Sequence, residues 1–201
     1  MKLLMENNNQ ISSAILKFLN TTEIQHMLSQ GDFHRIYNAA HHYMGTHDIT
    51  ILTETFIDAD INPLLYLDYV PLYYLANSKI NIPKLTFPKH ITKIKANAFY
   101  RSSNIISVII PSNIKTIEQY AFSNCIGLET VEITEGVESI NSSAFSNCPR
   151  LKSITIPQSV KAVGVNLFGE NKEIKVRIPD RFKDKAEDWG IFLSPEQIEY
   201  Y

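Results

Sequence analysis

The chain has 201 residues, 44% hydrophobic and 20% charged, the balance of an ordinary soluble protein with enough length to bury a sizeable core. A net charge of -2 gives no electrostatic reason to expect nucleic acid or an acidic membrane as partner. The charge is uneven, with four Lys/Arg against eight Asp/Glu in residues 1–80 and fifteen against thirteen in the remainder.

Met1-Lys2-Leu3-Leu4-Met5 offers too short an apolar run before Glu6 for a signal peptide, and no stretch approaches the ~18–20 apolar residues of a bilayer span. With only two cysteines, this predicts a cytoplasmic protein. Residues 1–80 then show helical spacing and are expected to form a helical N-terminal capping domain. Ile11, Ile15, Phe18 and Leu19 share one face. Asn20 and Glu23 have the spacing of a capping box opening a second helix through Ile24, Met27 and Leu28. Gly31 stops that helix, and Asp32 caps a third with Phe33, Ile36, Tyr37, Ala40 and Met44 inward. Asp48 is placed to cap a fourth, with Ile49, Leu52, Phe56 and Ala59 inward. Residues 61–75, dense in aromatics and broken by Pro63 and Pro71, read as short helical turns covering the open end of the segment beyond them.

From 81 the pattern changes. Phe99, Phe122, Phe145 and Phe168 recur every 23 residues, each but the last preceded by Ala. Ile105, Leu128, Leu151 and Ile174 follow at a constant offset, and Ile94, Ile117, Ile140 and Val163 precede. A fixed period of this length predicts a leucine-rich solenoid, an α/β solenoid of short parallel strands, over 81–178. Lys84–Phe87, Ser107–Ile110, Thr130–Ile133 and Ser153–Ile156 read as strands with second and fourth residues inward, and Lys175-Val176-Arg177-Ile178 repeats the pattern one residue early. Pro88, Pro111, Thr134 and Pro157 end the four strands. Stacking places the four phenylalanines in one column. Over 179–201, Phe182, Ala186 and Trp189 predict a helix ended by Gly190, with a further turn from Ser194, together a helical C-terminal cap.

Chemistry-bearing residues are sparse. His34, His41, His42 and His47 with Asp48 are the one grouping of metal-ligand types. His41 and His42 diverge by about 100° around a helix, so solvated or capping histidines are expected and a metal-dependent enzyme is the alternative. Cys125 and Cys148 hold the same repeat position and read as small buried spacers rather than a catalytic thiol or a disulfide. No glycine-rich phosphate loop or hydrolase constellation stands out, so neither cofactor nor catalysis is expected.

The run Ile117-Glu118-Gln119-Tyr120-Ala121-Phe122-Ser123-Asn124-Cys125-Ile126-Gly127-Leu128, continuing to Ile133, resembles the leucine-rich repeats of the BspA or Treponema type. Thr134 departs from that pattern at its proline, and Ser102 and Asn171 at its cysteine, which weakens those rungs. The resemblance implies a surface adhesion or recognition module. The block Asp60-Ile61-Asn62-Pro63-Leu64-Leu65-Tyr66-Leu67-Asp68-Tyr69-Val70-Pro71 resembles the segment preceding such repeats in bacteriophage-encoded proteins, which implies a protein of the host-cell cytoplasm that captures or inhibits a host factor.

The surface left to bind is the outward strand face: Lys84, Thr86, Ser107, Ile109, Thr130, Glu132, Ser153, Thr155, Lys175 and Arg177. An apolar Ile among charges of both signs suits a protein partner, whereas nucleic acid would call for a uniformly basic strip. The expectation is therefore a non-enzymatic, intracellular protein-binding scaffold, with the acidic helical block as a competing surface. Tyr100 and Tyr120 leave room for a homo-oligomer.

Overall fold

The structure, a computed structural model, describes residues 13–43, 49–53, 67, 69–71, 74–76, 78, 82–185 and 193–201. Three helices lead: α1 (Ser13–Leu19), α2 (Thr22–Ser29) and α3 (Phe33–Tyr43). The N-cap of α2 is Thr21, not Asn20. Its Oγ1 accepts from the Ile24 N–H at 3.3 Å, satisfying one of the donors a helix start leaves unpaired. Gly31 ends α2 at φ 67°, a backbone region open to glycine without steric cost. Asp32 Oδ1 accepts from the Arg35 N–H at the start of α3. Phe33, Ile36, Tyr37 and Ala40 are buried, while Met44 and Asp48 lie outside the described residues. Residues 49–53 are again helical, with Ile49 and Leu52 buried.

Beyond the helices, the chain winds through two faces of parallel strands. One face stacks the two-residue strands β1 (Tyr69–Val70), β3 (Lys93–Ile94), β5 (Thr116–Ile117), β7 (Ser139–Ile140) and β9 (Ala162–Val163). The other carries longer strands in two ladders. The first is β2 (Ile82–Leu85), β4 (Ile105–Ile110) and β6 (Thr130–Ile133); the second is β8 (Ser153–Thr155), β10 (Lys175–Ile178) and β11 (Ile198–Tyr200). Every pairing is parallel, and the register repeats rung after rung: Lys84↔Ser107↔Thr130 and Ile109↔Glu132, then Ser153↔Lys175 and Thr155↔Arg177. The first ladder strand, β1, lies ahead of the boundary expected at 81, and Val70 pairs with Ile94.

The expected helical C-terminal cap over 179–201 is not shown. Asp180–Lys185 and Pro195–Gln197 are short 3-10 turns, and the last described segment is a strand, β11, lying parallel to β10. Ala186, Trp189 and Gly190 lie outside the described residues. The physical reason is that β10 needs a partner for its outer edge, and Ile198-Glu199-Tyr200 supplies one, pairing with Val176-Arg177-Ile178. Tyr201 then fastens this rung: its N–H donates to Ile178 O at 3.1 Å and its hydroxyl to Ile156 O at 2.8 Å.

The core is a set of columns. Phe99 and Phe122 stack at 5.0 Å with planes 10° apart, and Phe122 and Phe145 at 5.4 Å with planes 4° apart. The strand spacing of about 4.8 Å leaves parallel rings little choice but to lie face to face. Phe168 is buried too, but its ring is not part of the stack, which corrects the expected four-ring column. The backbone explains this: Arg101 and Asn124 donate to Ser123 O and Ser146 O, whereas the equivalent Asn147 donates to Phe168 O, one residue early. The stack also reaches the helices, as Tyr74 meets Phe99 edge-on at 6.1 Å and Tyr37 at 6.2 Å. The Tyr37 hydroxyl pairs with Thr53 Oγ1 at 2.6 Å, and Thr50 Oγ1 donates to Ala76 O at 2.8 Å.

Residue 102, 125, 148 or 171 of each rung is buried and polar or sulfur-bearing. The Cys125 and Cys148 thiols donate to Phe99 O and Phe122 O, at 3.1 and 3.2 Å. Ser102 Oγ donates to Leu75 O, and Asn171 Nδ2 to Cys148 O and Leu151 O, each at 2.9 Å. Ser and Asn therefore keep a buried hydrogen-bond donor at the position cysteine holds in the middle rungs.

Each rung also places two residues in the left-handed region. Asn97, Tyr120, Ser143 and Asn166 form one column and Arg101, Asn124, Asn147 and Gly169 the other, with φ between 53° and 59°. Asn tolerates this conformation; a bulky aromatic is strained by it. A Cβ on Gly127 would stand 2.1 Å from Ser103 O, so only glycine lets the rungs approach there.

The columns can be tested from both directions. Phe122→Ala is expected to lower stability by about 3–5 kcal/mol, since the ring is sandwiched on both faces and its loss leaves a cavity; the measurement is the urea unfolding midpoint. Tyr120→Asn is expected to raise stability by about 1 kcal/mol by relieving the left-handed strain of an exposed aromatic, and an unchanged or lower midpoint contradicts that.

Candidate protein-interaction face

A parallel ladder turns alternate residues outward, so the inward requirement of the core fixes which residues the long strands present. Val108, Ile110, Val131, Ile133, Ile154, Val176 and Ile178 point in and are buried. Their neighbours form two outward columns. Lys84, Ser107, Thr130, Ser153 and Lys175 make one; Ile109, Glu132, Thr155 and Arg177 make the other, and Thr86 continues it just past the end of β2. All ten residues expected at the site thus lie on one face. Ser107, Ile109 and Thr155 are half-buried and the others exposed.

Five of the ten, Lys84, Ser107, Ile109, Thr130 and Glu132, come together around a shallow depression of about 310 Å³ across β2, β4 and β6. Its floor is Val108 and Val131. Ser107 Oγ is spoken for by Pro83 O at 3.0 Å. The remaining members sit on the second ladder. There Arg177 pairs with Glu199 at 3.0 Å and lies over the Tyr201 ring at 4.9 Å, so its charge is turned to the last rung. Glu199 and Tyr201 extend this face and were missed from the sequence. The signal was present: the same 22-residue step that carries Ser153 to Lys175 carries Arg177 to Glu199.

Charges beside the face pair across rungs. Arg150 reaches Glu129 at 2.9 Å, and Lys152 bonds to Glu173. On the opposite face, Lys161 meets Glu138 at 2.8 Å, and Lys93 and Lys95 approach Glu118 at 3.9 and 3.8 Å. Among the described residues, Lys84, Glu132 and Lys175 are in no ion pair. Glu135 accepts from the Gln158 and Ser159 N–H groups at 2.9 and 2.8 Å, which holds its carboxyl below the usual range.

Of the grouped histidines, His34, His41 and His42 lie among the described residues. His34 meets the Tyr69 ring edge-on at 5.1 Å, and burial lowers the pKa of half-buried His41; His47 and Asp48 lie outside the described residues. Among the described residues no three His, Cys, Asp or Glu groups converge, and no helix is long and apolar enough to cross a membrane.

A family model for the BspA type leucine rich repeat region matches six copies over residues 70–187, more than half of the chain. The chain belongs to this family. The match leaves most of the acidic helical block outside it, and the bacteriophage resemblance of residues 60–71 finds no support there. No curated protein matches the chain. Among solved structures, it is similar to the pneumococcal vaccine antigen PcpA, at 22% identity and a TM-score of 0.48 over 55% of this chain and 26% of that one. It is similar also to the T. pallidum leucine rich repeat protein, at 22% identity and a TM-score of 0.42 over 53% and 60% of the two chains. A leucine rich cell surface protein from Faecalibacterium prausnitzii shows 28% identity and a TM-score of 0.39 over 50% and 30%. The chain therefore spans about a quarter of the length of PcpA.

The cysteines yield a direct test. Burial pushes the Cys125 thiol well above its ordinary value, with Cys148 nearby adding to the rise, and pushes Cys148 up to about 12. A raised pKa means both stay protonated at pH 8, and the thiolate is the reactive species. Iodoacetamide is expected to leave both unmodified in the folded protein and to label both in denaturant, as read by intact mass. Rapid labelling of the folded protein contradicts this burial.

Proposed function

We propose that this protein is a non-enzymatic protein-binding scaffold whose outward strand face is the recognition surface. The observation that carries the reading is the depression across β2, β4 and β6, where charged, hydroxyl and apolar side chains meet on a backbone held rigid from beneath. A protein partner suits such mixed polarity, because interfaces combine an apolar centre with a polar rim. Membership of a leucine-rich repeat family supports a protein partner and a non-enzymatic role.

The same face serves capture of a host factor in the cytoplasm or recognition at a cell surface. Cell fractionation with an antibody separates the two settings. Recovery with the cytosol supports the first, and labelling of intact cells supports the second.

The binding reading is tested by affinity capture from lysate and from intact cells, comparing wild type with Glu132→Arg/Thr155→Glu. Both substituted side chains point away from the core, so the variant is expected to fold. A partner held by wild type and lost by the folded variant supports the strand face. Retention by both moves the site to the acidic helical block, and capture of nothing by wild type overturns the scaffold reading.

A further inference from the structure

We propose that the short-strand face carries a binding site for a neutral saccharide, one or two sugar rings long, at the ends of β5, β7 and β9. This site lies on the opposite face from the depression across β2, β4 and β6 and stands independently of that depression's role.

The site is a second shallow depression, of about 290 Å³. Gln119, Asn141 and Ser142 supply its polar lining, and Ile140, Ala162 and Val163 its apolar part. No ionisable side chain lines it. The charges flanking it in the chain are already met: Glu118 accepts from the Ala96 N–H at 3.1 Å with Lys93 and Lys95 close by, and Glu138 pairs with Lys161 at 2.8 Å. A charged ligand finds no counter-charge in the depression.

The amide side chains decide which uncharged ligand fits. Those of Asn113, Asn124, Gln158, Asn171 and Gln197 are engaged by the protein itself. Those of Asn97, Gln119, Asn141 and Asn166 bond to nothing among the described residues, nor does the Ser142 hydroxyl. They gather in neighbouring columns: Asn97 and Asn166 stand in the Tyr120 column, and the Asn97 N–H donates to Gln119 O at 3.1 Å. An amide carries a donor and an acceptor side by side, and a hydroxyl is both. Two adjacent sugar hydroxyls present the complement, one donating while the other accepts.

Tyr120 is a second, independent observation. It is exposed, it sits at φ 57° where the equivalent residues are Asn97, Ser143 and Asn166, and its N–H donates to Ser142 O at 3.2 Å, which fixes its backbone at the margin of the depression. The fold gains nothing from an aromatic there, since asparagine takes this conformation with less strain. Strain kept without structural return marks functional positions. A sugar ring has an apolar face of C–H groups and a rim of hydroxyls, so it packs the first on an aromatic ring while the second meets amides.

A protein segment fits less well. β7 is paired on both sides, to β5 and β9, so an extended peptide finds no open strand edge at the middle of the depression. Consecutive strands about 4.8 Å apart make the depression about 9.6 Å long across the three, which one or two sugar rings cover.

The probes are maltose, cellobiose, lactose and chitobiose, with the acidic sugar sialyllactose and the uncharged peptide Ser-Gly-Asn-Gly-Ser as controls, each offered to the whole chain in saturation-transfer NMR. At least one neutral disaccharide is expected to bind, and to bind equally at low and high salt, because no charge is involved. Gln119→Ala/Asn141→Ala and, separately, Tyr120→Asn are each expected to weaken that binding roughly tenfold, with urea midpoints showing both variants folded. Binding of no neutral disaccharide by folded wild type overturns the inference. So does binding confined to sialyllactose and lost in salt, a preference for the peptide over every sugar, or full retention of the sugar by the folded double variant.

Discussion

Each rung of this solenoid must meet the backbone carbonyls that the rung before it turns into a dry interior. Leu75, Phe99 and Phe122 are buried, and the carbonyl of each, already accepting from the backbone N–H three residues on, takes a second hydrogen bond from the following rung. The buried side chain at 102, 125 or 148 supplies that second bond, and Asn171 supplies its own to Cys148 O and Leu151 O. A serine hydroxyl, a cysteine thiol and an asparagine amide all do so, which explains why the position changes chemistry while staying small, buried and able to donate. What is constrained is the hydrogen-bond role, and the sulfur is incidental to it.

That bond holds one rung against the next at the distance the parallel ladders also impose, and the phenylalanines must then stack at the same interval. The left-handed residues on either side of each Ala-Phe step bend the backbone sharply enough to keep the ring inside. The system tolerates one fault at its C-terminal side. There the backbone slips by one residue, Phe168 leaves the stack, and the strand spacing contracts from 23 to 22 residues between Ser153 and Lys175. Amide side chains stabilise the turns: Asn171 spans Cys148 O and Leu151 O, and Gln197 spans Lys172 O and Ile174 O.

Much of this was legible in the sequence because a period is a strong signal. The 23-residue spacing, with the one 22-residue step to Lys175 and Arg177, marked the parallel strands, the inward residues and all ten outward ones, since strand alternation converts a correct register directly into a correct face. The helical stripe of Phe33, Ile36, Tyr37 and Ala40 was equally clear. The ends were harder. At 179–201, the apolar spacing of Phe182, Ala186 and Trp189 suggested a helix, but the unpaired edge of β10 exerts a tertiary demand that local propensity does not express, and Ile198–Tyr200 meets it as a strand. Val70 entered a ladder from a stretch whose two prolines disguised it. The pairing of Arg177 with Glu199 depended on that same unforeseen strand.

The face can bear a function because it is almost free of folding duty. Ile109 and Glu132 lie opposite each other in register, yet the core beneath is indifferent to what either projects into solvent. A charge that steadied the ladder would be expected to find a partner on the next rung, as Glu129, Lys152 and Arg177 do. Lys84, Glu132 and Lys175 do not, and exposed charges of this kind add little to stability when unpaired. Their placement on alternate strands is therefore unaccounted for by the fold, and residues whose positions stability does not explain are where recognition is to be sought.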